Sequence, residues 1–192
     1  MRWKERGLAF TLKLLVCSCC LAQSVMTNAD WDGADLMTKR LPSPAFKQLP
    51  ANLIRDLQQR GCTVPQEHFT KEPHNVIRGE FARPGQTDWA ALCSINRVSK
   101  ILVYWGGSEN KPAEIGGTED KGFLQTLGDG VIGYSRLIAP VGGKSILAYY
   151  AEFGGPKPPP IDHQGIEDAF VGKASVIRYF YGGNWLTLQG AD

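Results

Sequence analysis

The sequence lacks the short motifs that declare a catalytic or metal centre. There is no Gly-x-Ser-x-Gly, which excludes the nucleophile elbow of α/β-hydrolases. There is no His-Glu-x-x-His, which excludes the helix-borne zinc site of metalloproteases. Histidine is scarce, and the spacing of His68 and His74 in EHFTKEPH suits no zinc signature, so both read as solvated loop residues. No basic stretch interleaved with aromatics survives to argue for nucleic acid. Beyond residue 22 no apolar run is long enough to span a bilayer. Only one proline-rich connector is low in complexity, and no tandem period points to a solenoid.

What is present at the front of the chain is a leader. Arg2, Lys4, Arg6 and Lys13 stand against Glu5, and Leu14–Ala22 (LLVCSCCLA) then runs without charge. That run is too short for a bilayer and the right size for a signal-peptide core. Cys20 and Ala22 place small residues before a cut at Gln23. The expectation is a signal peptide over residues 1–22 and an exported chain, periplasmic or secreted; the alternative is a lipoprotein anchored at Cys19. The leader holds four basic residues and one acid, so the +2 of the full chain becomes −1 without it. The basic balance therefore belongs to the leader. Of five cysteines, Cys62 and Cys93 remain. In an exported chain such a pair favours a disulfide; two buried thiols are the alternative.

The rest reads as one domain of α+β class, mostly β: an antiparallel-sheet domain over 45–192 behind a flexible lead-in over 23–44, with a helical turn near Ala34–Lys39. In ANLIRDLQQRG, Leu53, Ile54 and Leu57 share one face, with Pro50 before and Gly61 after, which predicts a short amphipathic helix over Ala51–Arg60. Val131–Ala139 and Ser145–Phe153 read as two strands joined by PVGG. Phe123–Leu127 reads as a helical turn and Gly154–Pro160 as a polyproline-like connector. Ser175–Tyr181 and Trp185–Gln189, with Gly182-Gly183 between them, form the clearest hairpin.

Two stretches resemble each other. Gly79–Trp105 and Ile161–Tyr181 each place Gly-x-x-Asp (Gly85 to Asp88, Gly165 to Asp168) before an apolar run and a β-rich run. These openings resemble the calcium loops of FG-GAP (VCBS-type) repeats, whose pattern is D-x-D-x-D-G-x-x-D: alternate oxygens wrap a hard cation while glycine permits the bend. The second copy keeps Asp162, Gln164, Gly165 and Asp168, with Pro160 at the first position. The first keeps Glu80, Gly85 and Asp88, with Ala82 and Pro84 replacing the middle ligands. The resemblance implies a loop-strand geometry and a calcium set at Asp162, Gln164 and Asp168, but two copies close no propeller. The alternative is that Asp88 and Asp168 accept backbone N–H bonds across a turn. RGCTVPQ, GQTDWAALC, GYSR and GIEDAF are also similar to segments of a family of uncharacterised exported bacterial proteins, which implies export and a single domain.

Two functions from different classes follow. The first is a non-enzymatic binding module of the cell envelope with a protein, peptide or glycan target. Its support is the aromatic inventory Trp89, Tyr104, Trp105, Tyr149, Tyr150, Tyr179, Tyr181 and Trp185. The second is a hydrolase in which His163 acts as general base with Glu167 or Asp168 as partner; it lacks a nucleophile. No cofactor other than calcium is implied.

Overall fold

The computed structural model describes residues 27–191. The leader, its cut before Gln23 and Cys19 lie outside the described residues. In chain order the helices are α1 (Asn28–Met37), α2 (Ala51–Gln59) and α3 (Gly143–Phe153). The strands are β1 (Arg40–Pro42), β2 (Thr63–Pro65), β3 (Val76–Gly79), β4 (Asp88–Ile95), β5 (Val98–Tyr104) and β6 (Ala113–Glu119) in the first half. They continue with β7 (Leu124–Thr126), β8 (Ile132–Tyr134), β9 (Arg136–Val141), β10 (Gly165–Phe170), β11 (Ala174–Tyr181) and β12 (Asn184–Gln189). All pairings are antiparallel, in a six-stranded sheet (β1-β2-β4-β5-β6, with β3 also on β4), a four-stranded sheet (β12-β11-β10-β9) and the ribbon β7-β8. The fold is mostly β, as expected.

The β4–β5 pair shows why. Its residues alternate between two apolar faces, and both faces are covered. On one side Ala91, Cys93, Leu102 and Tyr104 pack against Leu53 and Leu57 of α2 and against Phe46. On the other, Ala90, Leu92, Ile101 and Val103 pack against Ile138 and Ile166 of the four-stranded sheet. The outer face of that second sheet, with Ile177, Tyr179 and Leu188, is closed by Ile146 of α3. The architecture is therefore helix, sheet, sheet, helix. The two sheets meet along a seam that Trp105, Phe180 and Trp185 fill at one end, with ring centroids 4.8–5.6 Å apart.

Helix α2 follows its apolar stripe, with Leu53 and Leu57 fully buried. Gly61 stands just past its end at φ 72°, a left-handed position that suits glycine. Cys62 comes next and bonds Cys93 of β4, pinning the helix to the sheet. The loop closed has a sequence separation of 31. Replacing both cysteines by alanine is expected to cost about 3–4 kcal/mol in the chain-entropy account. The measure is a lower urea midpoint, with a steeper slope because the uncrosslinked unfolded chain is less compact. A double variant as stable as the parent would show that packing alone holds this corner.

Three expectations differ from what is observed. The lead-in carries α1 and β1, and α1 is capped reciprocally by Thr27 and Asp30: the Asp30 carboxylate accepts from Thr27 N at 2.6 Å. Ser145–Phe153 is helical, because Ile146, Tyr149 and Phe153 recur at helical spacing and Gly142 and Gly154 bound the segment. Strand β9 consequently pairs with β10, beyond α3 and the proline connector. Phe123 ends a 3-10 turn and Leu124–Thr126 is strand β7. The described residues thus hold three α-helices where one was expected.

Candidate functional site

His163 sits in the loop before β10, under the outer face of the second sheet, with 4% of its side chain exposed. Its ring stacks on Tyr179, with centroids 4.4 Å apart. Nε2 lies 2.9 Å from the Phe180 carbonyl, which only accepts, so Nε2 donates there. Nδ1 lies 2.6 Å from Asp162 Oδ1 and 3.1 Å from the Tyr179 hydroxyl. Hydrogen bonding by His163 holds the Asp162 carboxyl below the usual carboxylate range, while burial pushes the Tyr179 phenol up. Both ring nitrogens are thus engaged in tying the connector to β11. Glu167 is engaged elsewhere: it accepts from the Ser175 hydroxyl at 2.7 Å, and that hydroxyl accepts from Ala191 N at 2.8 Å, latching the C-terminal end. The structure does not assemble His163 and Glu167 as an acid–base pair.

The two Gly-x-x-Asp openings differ in kind. Gly85 has φ 77° in a true turn, and Asp88 closes that turn at the first position of β4. The fully buried Asp88 carboxylate accepts from Phe81 N and Ala82 N at 2.9 Å, from Gly106 N at 2.8 Å and from Gln86 Nε2 at 2.7 Å. This is the backbone-accepting role weighed from sequence. Asp88→Ala leaves three backbone donors without that acceptor, and the expected cost is about 2–3 kcal/mol. Hydrogen exchange should report it by faster exchange at Phe81 and Gly106. Unchanged protection there would refute the assignment.

Gly165, by contrast, is extended within β10. A Cβ there would come 2.7 Å from Ile177 Cγ2, so glycine serves close strand packing and not a bend. Asp168 lies inside the same strand and bonds Arg136. Gln164 reaches back to the first opening: its Oε1 accepts from Glu80 N and its own N–H donates to Glu80 O, both at 2.9 Å. Asp162, Gln164 and Asp168 therefore face separate partners. Among the described residues no three His, Cys, Asp or Glu side chains gather as a metal site would need.

The seam between the sheets offers more. At the end opposite the Trp105 cluster it opens into a crevice of about 250 Å³ between β6 and the inner face of the second sheet. Arg136 on β9, Asp168 on β10 and Arg178 on β11 project there from successive inner-face positions, with Phe123, Phe170 and Val176 supplying apolar wall. Arg136, 2% exposed, grips Asp168 in a fork, Nε to Oδ1 at 2.8 Å and Nη2 to Oδ2 at 2.9 Å. Its guanidinium carbon lies 4.5 Å over the Phe123 ring. Burial alone would lower the Arg136 pKa, but hydrogen bonds to and the charge of Asp168 outweigh it and raise it. The guanidinium thus stays charged. Arg178 donates from Nη1 to Thr187 at 2.7 Å and approaches Asp168 at 3.9 Å. Arg136 Nη1 and Arg178 Nε are closed off from solvent and have no acceptor among protein atoms.

Neither arginine stands in a motif that marks it as a site residue in the sequence. The available signal was a lone cation at an inner position of a strand whose neighbours, Val176 and Phe180, are apolar. Of the eight aromatics offered as a binding strip, only Tyr181 is exposed; the others are core or part-buried. The chain matches no family model, curated protein or solved structure. No described helix is long and apolar enough to cross a membrane.

Proposed function

We propose that this chain is an exported, non-enzymatic binding module of the cell envelope that takes its ligand in the seam between its two sheets. The observation that carries the reading is the crevice itself: a two-sheet frame left open at one end, lined by two arginines, one aspartate and an apolar wall of Phe123, Phe170 and Val176. A preformed concavity with a mostly apolar wall and a few convergent polar groups is the usual form of a small-ligand site. The Cys62–Cys93 bond and the basic, then apolar, leader support export. The separate engagement of His163 and Glu167 supports binding without turnover.

The test is a thermal-melting screen of the purified protein against small anions, cations, neutral apolar compounds, short peptides and glycans, with recovery of each hit afterwards. Saturable stabilisation by at least one class, with the ligand recovered unchanged, is the expected result. A screen in which no class binds would overturn the reading, and so would conversion of a hit to product.

A further inference from the structure

From charge and shape together we infer that the crevice takes a small monocarboxylate with an apolar body. The inference rests on the binding reading above and adds the ligand class. Two guanidinium groups, Arg136 and Arg178, line the crevice against one carboxylate, Asp168, so the wall carries one positive charge in excess. Arg178 keeps a quarter of its side chain exposed, so solvent offsets only part of that excess. A single anion offsets the rest, and Arg136 and Arg178 are the cationic side chains that line the crevice for it.

The remaining wall selects among anions. Phe123, Phe170 and Val176 present no hydrogen-bonding group, and of the two hydroxyl residues beside them, Thr118 and Ser175, the second is already bonded to Glu167 and Ala191, so an inorganic ion that needs a full shell of donors fits poorly. A planar carboxylate matches guanidinium donors, and an apolar tail covers the rings. The crevice is small, at about 250 Å³. Benzoate is a suitable probe, benzamide is its neutral isostere, and inorganic phosphate tests for an anion without a body.

Titration calorimetry of the full chain with each probe decides the matter. The expected result is saturable binding of benzoate, at least tenfold weaker binding of benzamide, and none of phosphate at equal concentration. Arg178→Gln, at the more exposed arginine, should weaken benzoate at least tenfold while leaving the far-ultraviolet circular dichroism unchanged. Val176→Trp, which fills the crevice and keeps both arginines, should abolish binding, so that a folding defect at either site alone does not decide the outcome. Equal affinity for benzoate and benzamide, phosphate binding as well as benzoate, or an unchanged affinity in Arg178→Gln would each overturn the inference. If the wider screen finds a neutral or cationic ligand while benzoate fails, the binding reading stands and this inference falls.

Discussion

Asp120→Ala is expected to lower the unfolding free energy by about 3–5 kcal/mol. Asp120 is fully buried in the 3-10 turn after β6 and serves as the common acceptor of a network that crosses the fold. It accepts from Arg40 Nε at 3.1 Å and Nη2 at 2.8 Å, from Ser94 of β4 at 2.6 Å and from the Ser99 hydroxyl of β5. Arg40 in turn bonds Asp35 of α1 at 2.6 Å and the Asp35 carbonyl at 2.8 Å. Deleting the Asp120 carboxylate leaves a largely buried guanidinium with one counter-charge and two serine hydroxyls without their acceptor, each a penalty of its own. For a domain of this size a loss of that order lowers the melting temperature by roughly 10 °C or more. Urea unfolding measures it directly. Adding Arg40→Met should recover part of the loss, since the coupling belongs to the pair. A single variant within about 1 kcal/mol of the parent would show that the network does not anchor α1.

That network also explains what could be read in advance and what could not. Helix α2 was legible because Leu53 and Leu57 print its stripe in the sequence and Pro50 and Gly61 mark its ends. Helix α1 has no stripe: its one buried residue is Asp35, and it is held by charge to partners far along the chain. Sequence periodicity reports burial of apolar faces and is blind to such attachment. The β11–β12 hairpin was legible because Gly182 and Gly183, at φ 58° and 83°, supply the turn that the pairing of Tyr181 with Asn184 requires. Helix α3 was misread because aromatic and β-rich content outweighed the spacing of Ile146, Tyr149 and Phe153.

The site was less legible still. Asp88 and Asp168 stand in the same local pattern, yet one closes a turn and the other balances an arginine. Arg136, which decides between these roles, comes from β9, a strand brought beside β10 only by the long connection through α3. Aspartate offers the same acceptor in both places, and what donates to it is set by topology. The candidate calcium set failed to assemble for the same reason, because Gln164 and Asp168 had nearer donors to satisfy.

Asp168→Ala is expected to cost about 3–5 kcal/mol, because it strands the Arg136 guanidinium in the seam. Arg136 is 2% exposed and receives its two shortest contacts from this carboxylate. Replacing the pair together, Arg136→Met with Asp168→Leu, removes charge and counter-charge at once and should recover most of that loss, as buried pairs exchanged for packed apolar groups commonly do. The crevice adds a consequence that a purely structural pair lacks. Without Asp168 the wall keeps two arginines and no carboxylate, so an added carboxylate can take the vacated role. Acetate should therefore raise the melting temperature of Asp168→Ala more than that of the parent, while chloride at equal ionic strength should not. The double apolar variant, with no guanidinium at 136 to receive it, should lose this response. A loss below about 1 kcal/mol in Asp168→Ala would mean that desolvation already offsets the pair, and a response to acetate no greater than to chloride would mean that Arg136 is closed to anions from solution.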